Sequence, residues 1–439
     1  MSLDLVIGLF LQLAAVALVL IRTRGRWLAY VGALFVVVAF VYYGVWEVVQ
    51  LIFPGRNFYR MLVSQEDVDA WVLIVSIALF LFAGVYCLSL RNTRKPLYDP
   101  DQLAQWAKRH LPDWRLVLIL AVPSFWVAIS GQDFGFWVNS LSSYMTSFIF
   151  LTAFTVLILR SGPRFILPVL LIQVLLFTLL GSRTAVVMNA IILLSILTRF
   201  GVPICWRTVL VLGFAGVVLM VLISAARVVS GRHHFAASAE SDDTGTSVLW
   251  LMDGLQGLTD PAIMKNEVAD DFIYRFDGNA FNGMVYRELA HGCPPAGFQS
   301  FRNNFALMVP SFINPHKLDV DKPDLFEEEY TVAHYRLPEG IDYTAGTAGI
   351  IYSYYGSYGL WLIMMLLGWM YAWIDRWLMR ARSTWAFCFG VGFISTSLFM
   401  EQAVQGYFGT FRSLIVFWLF IQGMLWFKKR ERRVAIGVN

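Results

Sequence analysis

Long apolar runs, separated by short clusters of basic residues, repeat along almost the whole 439-residue chain. The runs are roughly 15–20 residues long, close to the length that an α-helix needs to cross the hydrocarbon core of a bilayer. Charged residues make up only 15% of the sequence, whereas soluble domains carry roughly 25%. The sequence therefore predicts an all-α polytopic membrane protein.

We place about 11 transmembrane helices in these runs. They cover roughly residues 3–21, 27–50, 71–90, 115–131, 143–160, 165–181, 184–199, 208–226, 347–374, 384–401 and 413–427. The predicted organisation is an N-terminal block of about eight helices at 1–226, a large polar loop at 227–345, a C-terminal block of about three helices at 346–427 and a basic tail at 428–439.

Basic residues set the predicted orientation, because Lys and Arg are enriched in cytoplasmic loops. Arg22, Arg24 and Arg26 follow the first span, which puts the N-terminus outside the cytoplasm and the C-terminus inside. Of the 34 Lys and Arg, 21 then lie in cytoplasmic connections, and nine of the other 13 belong to the large loop, where the rule is weak. The net charge of +4 therefore does not indicate nucleic-acid binding.

The large loop is predicted to lie outside the cytoplasm and to hold most of the side chains that can do chemistry. Between Arg227 and Tyr343 it contains 18 of the 30 Asp and Glu and five of the six His. Ser247–Leu258 and Asn279–Ala290 are predicted to form short amphipathic helices. Gly346–Gly359 is rich in Gly, Ser and Tyr, which predicts that the next span begins as an irregular or re-entrant piece.

Arg183 is the strongest single candidate for function. It lies in a Gly-Ser-Arg turn between two short apolar runs, and residues 165–199 give about 52 Å of helix against ~60 Å for two full crossings. An arginine so close to the membrane is costly unless it meets an anion or a water-filled cavity. The alternative is that its side chain extends to the lipid headgroups.

Two further arginines are predicted on the same side of the membrane. Arg412 lies at the mouth of the last span, eleven residues after Glu401, and Arg227 ends the eighth span. Together with Arg183 they would form a cationic ring suited to a phosphate or diphosphate, since guanidinium pairs with its oxygens in a bidentate fork. A structural ion pair between Glu401 and Arg412 is the alternative.

The loop offers candidates for a general base. Arg275 and Asp277 stand at a predicted helix start, and Glu288 and His291 follow three residues apart, on one helical face. Any of Asp277, Glu288 or His291 has the chemistry of a base. Each is alternatively an ordinary surface carboxylate or a structural histidine.

Metal and nucleotide chemistry are not indicated. The four Cys show no CxxC spacing, HExxH is absent, and no Gly-rich phosphate loop is found on the cytoplasmic side. We therefore expect no metal and no cofactor.

Three stretches make the chain resemble bacterial oligosaccharide-repeat-unit polymerases, the Wzy-type proteins of O-antigen, exopolysaccharide and enterobacterial common antigen synthesis. The first is the Gly181–Ala185 turn (GSRTA), and the second is Arg302–Pro315 (RNNFALMVPSFINP) near the end of the large loop. The third is the Gly/Ser/Thr-rich stretch Thr344–Gly359, together with Glu401 and Arg412 near the last span. The order and the predicted topology are similar over most of the chain.

This resemblance implies a metal-independent glycosyltransferase of GT-C-like architecture in the bacterial inner membrane, with the large loop in the periplasm. Such enzymes transfer a growing glycan from undecaprenyl diphosphate onto another lipid-linked repeat unit. The leaving diphosphate would be stabilised by Arg183, Arg302 and Arg412. The family also implies a possible Wzz-type partner that controls chain length.

Three alternatives stay open. An O-antigen ligase uses a lipid A core acceptor and depends on an Arg–His arrangement, for which His291 with Arg287 or Arg302 is available. A transporter or flippase for lipid-linked sugars typically has an even number of spans and short loops, unlike this chain. A non-enzymatic scaffold of polysaccharide assembly is the third.

Overall fold

The computed structural model describes part of the chain, and the statements below concern that part. It covers residues 2–52, 58–90, 105–109, 111, 113, 115, 117, 119, 154–159, 161, 163–169, 171–172, 183–202, 211, 214, 218, 221, 278–297, 327–338, 346–380, 388–394, 415 and 418–426. Side chains are described for these except 58–59, 163, 183–189, 327–328 and 380. Within these ranges every regular element is a helix.

Within the described part of the chain, four helices are long and apolar enough to cross a membrane, which makes this a multi-pass membrane protein. They are α1 (Leu3–Thr23), α2 (Val31–Ile52), α3 (Gln65–Ser89) and α7 (Gly346–Arg380). At ~1.5 Å per residue, the 25 residues of α3 give about 38 Å, enough for the ~30 Å hydrocarbon core. Four of the predicted spans are thereby confirmed as long apolar helices.

The described part of the chain also includes three shorter α-helices. They are α4 (Arg183–Arg199), α5 (Gly278–Ala290) and α6 (Glu327–His334). Helix α4 coincides with the predicted span at 184–199, and α5 with the predicted helix at 279–290. The predicted spans at 115–131, 143–160, 165–181, 208–226 and 384–401 lie largely outside the described residues, and the predicted helix Ser247–Leu258 lies wholly outside them. Of the predicted span at 413–427, residues 415 and 418–426 are described and are helical.

Serine residues begin two of the long helices. The Ser2 hydroxyl accepts a hydrogen bond from the Leu5 N–H, and the Ser64 hydroxyl accepts one from the Asp67 N–H. Each satisfies an N–H that has no partner within its helix. Helix α1 ends where Arg24 and Gly25 adopt positive φ angles of 53° and 74°, so the chain reverses directly into α2.

Aromatic side chains pack α2, α3 and α7 into one core. The Phe35 and Phe82 rings stack with centroids 4.7 Å apart, and Tyr371 meets Phe82 at 5.6 Å. Farther along, Trp71 lies 6.1 Å from Tyr43 and 5.2 Å from Tyr352. These pairs fix which parts of the three helices lie at the same depth.

Helices α2 and α7 are each interrupted. Residues Phe40–Val45 of α2 wind as a π-helix, a rare form that occurs mostly as single turns inside α-helices. Helix α7 breaks at Gly356, whose φ of 66° and ψ of −168° are not helical. In place of the predicted irregular start, this span begins with a short helix, Gly346 to Tyr355, which is followed by a kink at Gly356. After the kink the helix continues to Arg380.

The contacts define two ends of the bundle. Thr23, Val31, Ser89 and Asp375 lie toward one end, where the Arg22 guanidinium donates to the Leu90 carbonyl and Asp375 accepts from Val31. We call this the Asp375 end, and the opposite end, where α2 finishes and α3 begins, the Glu47 end. The predicted topology puts the Asp375 end in the cytoplasm and the Glu47 end outside it.

Candidate functional site

Helix α5, from the large polar loop, begins inside the bundle at the Glu47 end. All eight of its first residues, Gly278–Val285, are buried. Asn279 accepts from the Trp71 indole N–H at 3.2 Å and donates to the Tyr43 carbonyl at 2.9 Å and to Glu47 Oε2 at 3.1 Å. One amide therefore joins the loop to both α2 and α3 at the depth of the Trp71 ring.

Close backbone contact lets α5 reach this depth. A Cβ atom at Gly349 of α7 would lie 1.8 Å from Asn282 Oδ1, and one at Gly283 would lie 3.0 Å from a Val68 methyl group. Only glycine leaves room for Asn282 against α7. Asn282 also donates to the Gly278 carbonyl at 2.7 Å, which tightens the first turn of α5.

Glu47 is the centre of this site and is completely buried. The Arg60 guanidinium donates to it through both terminal nitrogens, at 3.1 Å to Oε1 and 2.6 Å to Oε2. The Gln65 amide adds a bond to Oε1 at 3.3 Å, and Asn279 supplies the fourth. Four donors, two of them from one arginine, therefore meet at this single buried side chain.

Two more polar side chains extend the site along α2 and α3. Asp69 is 4% exposed and accepts from the Gln65 amide at 2.7 Å. Gln50 lies one helical turn from Glu47 on the buried face of α2, and its Nε2 is buried without a hydrogen-bond partner in the described structure. We define Glu47, Gln50, Arg60, Gln65, Asp69 and Asn279 as the Glu47 network.

The outer end of α5 carries two predicted base candidates. Arg287 donates to Glu288 Oε1 at 3.0 Å and to the Leu62 carbonyl at 3.0 Å, so Glu288 is held in a half-exposed ion pair. His291 is exposed, just beyond the end of the helix. Both residues therefore lie at the opposite end of α5 from Asn279, and which candidate acts as base stays a prediction.

Loop segments hold the kink of α7. The Ser353 carbonyl accepts from the Ala296 N–H at 2.9 Å and from the Tyr335 hydroxyl at 2.6 Å, and the Tyr354 carbonyl accepts from the Gly297 N–H at 3.3 Å. A helix that stops inside a protein needs such partners for its last carbonyls. Burial raises the pKa of Tyr335 above its ordinary value, so it stays a neutral donor.

The Asp375 end carries a second buried network. The completely buried Asp375 carboxylate accepts from the N–H groups of Val31 at 2.9 Å and Gly32 at 3.0 Å and from the Tyr86 hydroxyl at 2.9 Å. The Arg199 guanidinium adds an ion pair at 3.1 Å. A single carboxylate of α7 thus binds the start of α2 and side chains of α3 and α4.

Most of the predicted diphosphate-binding residues lie outside the described part. For Arg183 the backbone is described and begins α4, while its side chain is not. The remaining predicted site residues outside the description are Arg227, Arg275, Asp277, Arg302, Glu401 and Arg412.

Sequence reasoning missed the two buried networks. Glu47 lies within the predicted span 27–50 and Asp375 directly follows the predicted span 347–374. An acid in or beside a membrane span is itself a sign of a buried partner or a functional site. That signal was available in the sequence. Their partners Asn279 and Arg199 are more than 170 positions away, and no short motif connects them.

The chain matches no protein-family model, no curated protein and no solved structure. Among the described residues, no three His, Cys, Asp or Glu side chains come together as a possible metal site.

Proposed function

We propose that this protein is a membrane-embedded glycosyltransferase that polymerises lipid-linked oligosaccharide repeat units at the outer face of the bacterial inner membrane. The observation that carries the proposal is the burial of the first half of α5 against α2, α3 and α7. A long polar loop thereby reaches into a bundle of membrane helices. An enzyme acting on a lipid-bound sugar needs this arrangement, because its substrate has an apolar tail in the bilayer and a polar head at the surface.

The proposed reaction forms one glycosidic bond and breaks one. A hydroxyl oxygen of the acceptor repeat attacks the anomeric carbon of the donor glycan, and the bond from that carbon to the diphosphate oxygen breaks. Undecaprenyl diphosphate leaves with the electron pair, and the hydroxyl proton passes to a general base. Negative charge accumulates on the diphosphate, so cationic groups facing it lower the barrier most.

The predicted residues have distinct roles in this scheme. Arg183, Arg302 and Arg412 bind the diphosphate, and Arg227 and Arg275 add positive charge. The base is sought among Asp277, Glu288, His291 and Glu401. Asp277 gains support from its position in the chain, since it directly precedes Gly278, the buried first residue of α5.

Reconstitution tests the proposal directly. The purified protein is incorporated into vesicles with undecaprenyl-diphosphate-linked repeat units, without nucleotide and with EDTA. A ladder of two, three and more repeats on the lipid carrier is the expected result. Transfer only when lipid A core is supplied would instead identify a ligase, and unchanged substrate with both acceptors would overturn the glycosyltransferase proposal.

Transport of the same lipid-linked sugars is the second candidate. It is favoured by the break in α7 and by the buried Arg199–Asp375 pair, because transporters commonly combine interrupted helices with charged residues in the bundle. The same vesicles distinguish the two functions. Movement of labelled lipid-linked sugar across the bilayer without any ladder would favour transport.

A further inference from the structure

Helix α4 is fastened at its C-terminal end to two other parts of the bundle. The Arg199 guanidinium donates through Nε and Nη2 to the Ala29 carbonyl, at 3.2 Å and 3.1 Å, and through Nη2 to Asp375 at 3.1 Å. One turn earlier, the Ser195 hydroxyl donates to the Leu28 carbonyl. The last turn of α4 is therefore tied to the α1–α2 connection and to α7.

The partner of Arg199 is itself immobilised. Asp375 accepts from the first two N–H groups of α2 and from Tyr86 of α3, and its side chain is fully buried. A shift of α4 by one turn, about 5.4 Å, would remove the guanidinium from this carboxylate. Because separating a buried charge pair is strongly unfavourable, α4 has one preferred axial position. We call the contacts of Arg199 with Ala29 and Asp375 the Arg199 anchor.

The opposite end of the same helix begins at Arg183. Helix α4 is 17 residues long and contains neither Gly nor Pro, so nothing in its sequence favours a kink. The 16 steps from Arg183 to Arg199 span about 24 Å at ~1.5 Å each. An axial displacement of the Arg199 end is therefore transmitted to Arg183.

We propose that the Arg199 anchor sets the depth at which α4 presents Arg183 at the Glu47 end of the bundle. Arg199 is then a positioning residue. It touches no substrate, and it acts through the rigid helix on an arginine on the far side of the membrane. The depth of Arg183 is a property of the fold, whereas the consequence for catalysis rests on the proposed function, in which Arg183 binds the leaving diphosphate.

Cysteine labelling measures the depth without any need for activity. In a background with Cys87, Cys205, Cys293 and Cys388 replaced by Ala, Arg183→Cys is labelled from the outer face with a membrane-impermeant maleimide. Adding Arg199→Ala or Arg199→Lys is expected to change the labelling rate several-fold. Lysine keeps the charge, yet its compact ammonium does not reproduce the guanidinium bridge between Ala29 and Asp375.

Two matched variants serve as controls in the same assay. Arg376→Ala removes an arginine adjacent to Asp375 whose Nε donates within its own helix, to the Ala372 carbonyl. Thr198→Val changes the neighbour of Arg199, whose hydroxyl donates to the Leu194 carbonyl of α4. Both are expected to leave the labelling rate of Arg183→Cys unchanged.

The activity arm uses chains that retain Arg183. A 1 Å misplacement of a binding group can lower a reaction rate on the order of 100-fold. We expect a loss of this size in the rate of transfer at saturating substrate for Arg199→Ala and a smaller loss for Arg199→Lys. The two control variants are expected to lose little activity. If Arg199→Ala does not reach the membrane, the inference is tested with Arg199→Lys alone.

The outcomes separate the inference from the function. Unchanged labelling and unchanged transfer in Arg199→Lys, with polymer lost in Arg183→Ala, would overturn the anchor and leave the proposed function intact. If the Arg199 variants alter the labelling of Arg183→Cys, but the unsubstituted protein with Arg183 and Arg199 makes no polymer, the anchor would be supported and the proposed polymerase function would be overturned. Equal changes in the controls would show general loosening of the bundle and would overturn the inference.

Discussion

The side-chain amide of Asn279 donates to the carboxylate of Glu47 across 3.1 Å, although the two residues are 232 positions apart in the chain. Asn279 belongs to the polar loop, and Glu47 belongs to the second membrane helix. A polar contact buried at this depth is stronger than one in water, because the local dielectric is low. It therefore fixes the loop to the bundle at the depth of the Trp71 ring, with which Asn279 also bonds.

Asn279→Ala is expected to loosen the loop. It removes the partners of the Trp71 indole and of the Tyr43 carbonyl as well as one donor to Glu47, and we expect a loss of about 1–3 kcal/mol in the free energy of unfolding. SDS titration followed by tryptophan fluorescence measures it. Glu288→Gln, at the half-exposed end of the same helix, is the control. An equal loss in both variants would contradict a special role for Asn279.

Gly349→Ala is expected to push α5 away from α7. The added Cβ would lie 1.8 Å from Asn282 Oδ1, so Asn282 must move, and we expect a destabilisation of about 1–3 kcal/mol. Shortening the opposing side chain with Asn282→Ala should recover part of the loss, which a double-mutant cycle measures. Gly84→Ala is the control, since among the described residues no neighbouring atom lies within 4 Å of its Cβ position. Additive effects at positions 349 and 282 would contradict the steric explanation.

Ionisation of the Tyr335 hydroxyl is expected to make the stability of the folded protein depend on pH in the alkaline range. Burial raises the pKa of this hydroxyl in the folded protein above its unfolded value of about 10, so the stabilisation is fully present below about pH 10 and is lost as the pH rises through the folded pKa. Tyr335→Phe lacks the ionisable group and the bond to the Ser353 carbonyl. It should be less stable than the unsubstituted protein at pH 8, by about 1 kcal/mol, with a difference that narrows toward about pH 11.

Unfolding of both proteins across this pH range tests the prediction. Tyr358→Phe is the control, because Tyr358 is 83% exposed. A difference between Tyr335→Phe and the unsubstituted protein that stays constant with pH would show that ionisation of Tyr335 plays no part.

The long helices were predictable because hydropathy alone identifies them. The predicted spans differ from the helices of the structure mainly in where they begin and end. The third span was predicted from residue 71, whereas α3 begins at Gln65. Its first turn contains Glu66 and Asp67, which lower the hydropathy, but Ser64 and Asp67 together make a capping interaction that extends the helix. Acidic residues therefore stabilise the first turn of a helix, although a search for apolar segments leaves such residues out of the predicted span.

The buried networks were less predictable. Glu47 within one predicted span and Asp375 directly after another are visible in the sequence, yet their partners are not. Which arginine pairs with which acid depends on helix packing, and one sequence contains no information about pairs so far apart. The break of α7 at Gly356 was foreshadowed by its Gly- and Tyr-rich composition, because glycine adopts the positive φ that the kink requires.

Substituting His334 and substituting Arg183 are expected to have opposite effects on polymer synthesis. His334 is half-buried at the end of α6, where Nε2 lies 2.9 Å from the Pro294 carbonyl oxygen and the ring packs against Tyr335 at 4.8 Å. These contacts are explained by local packing, so His334→Ala should leave the ladder of repeats nearly unchanged. Arg183→Ala should abolish the ladder while the protein stays in the membrane, because the leaving diphosphate then lacks its main cation. Gel analysis of lipid-linked products from the two variants, with membrane content checked by immunoblot, makes the comparison. Normal ladders from Arg183→Ala would exclude its role at the diphosphate, and loss of the ladder in His334→Ala would place the reacting groups beside α6.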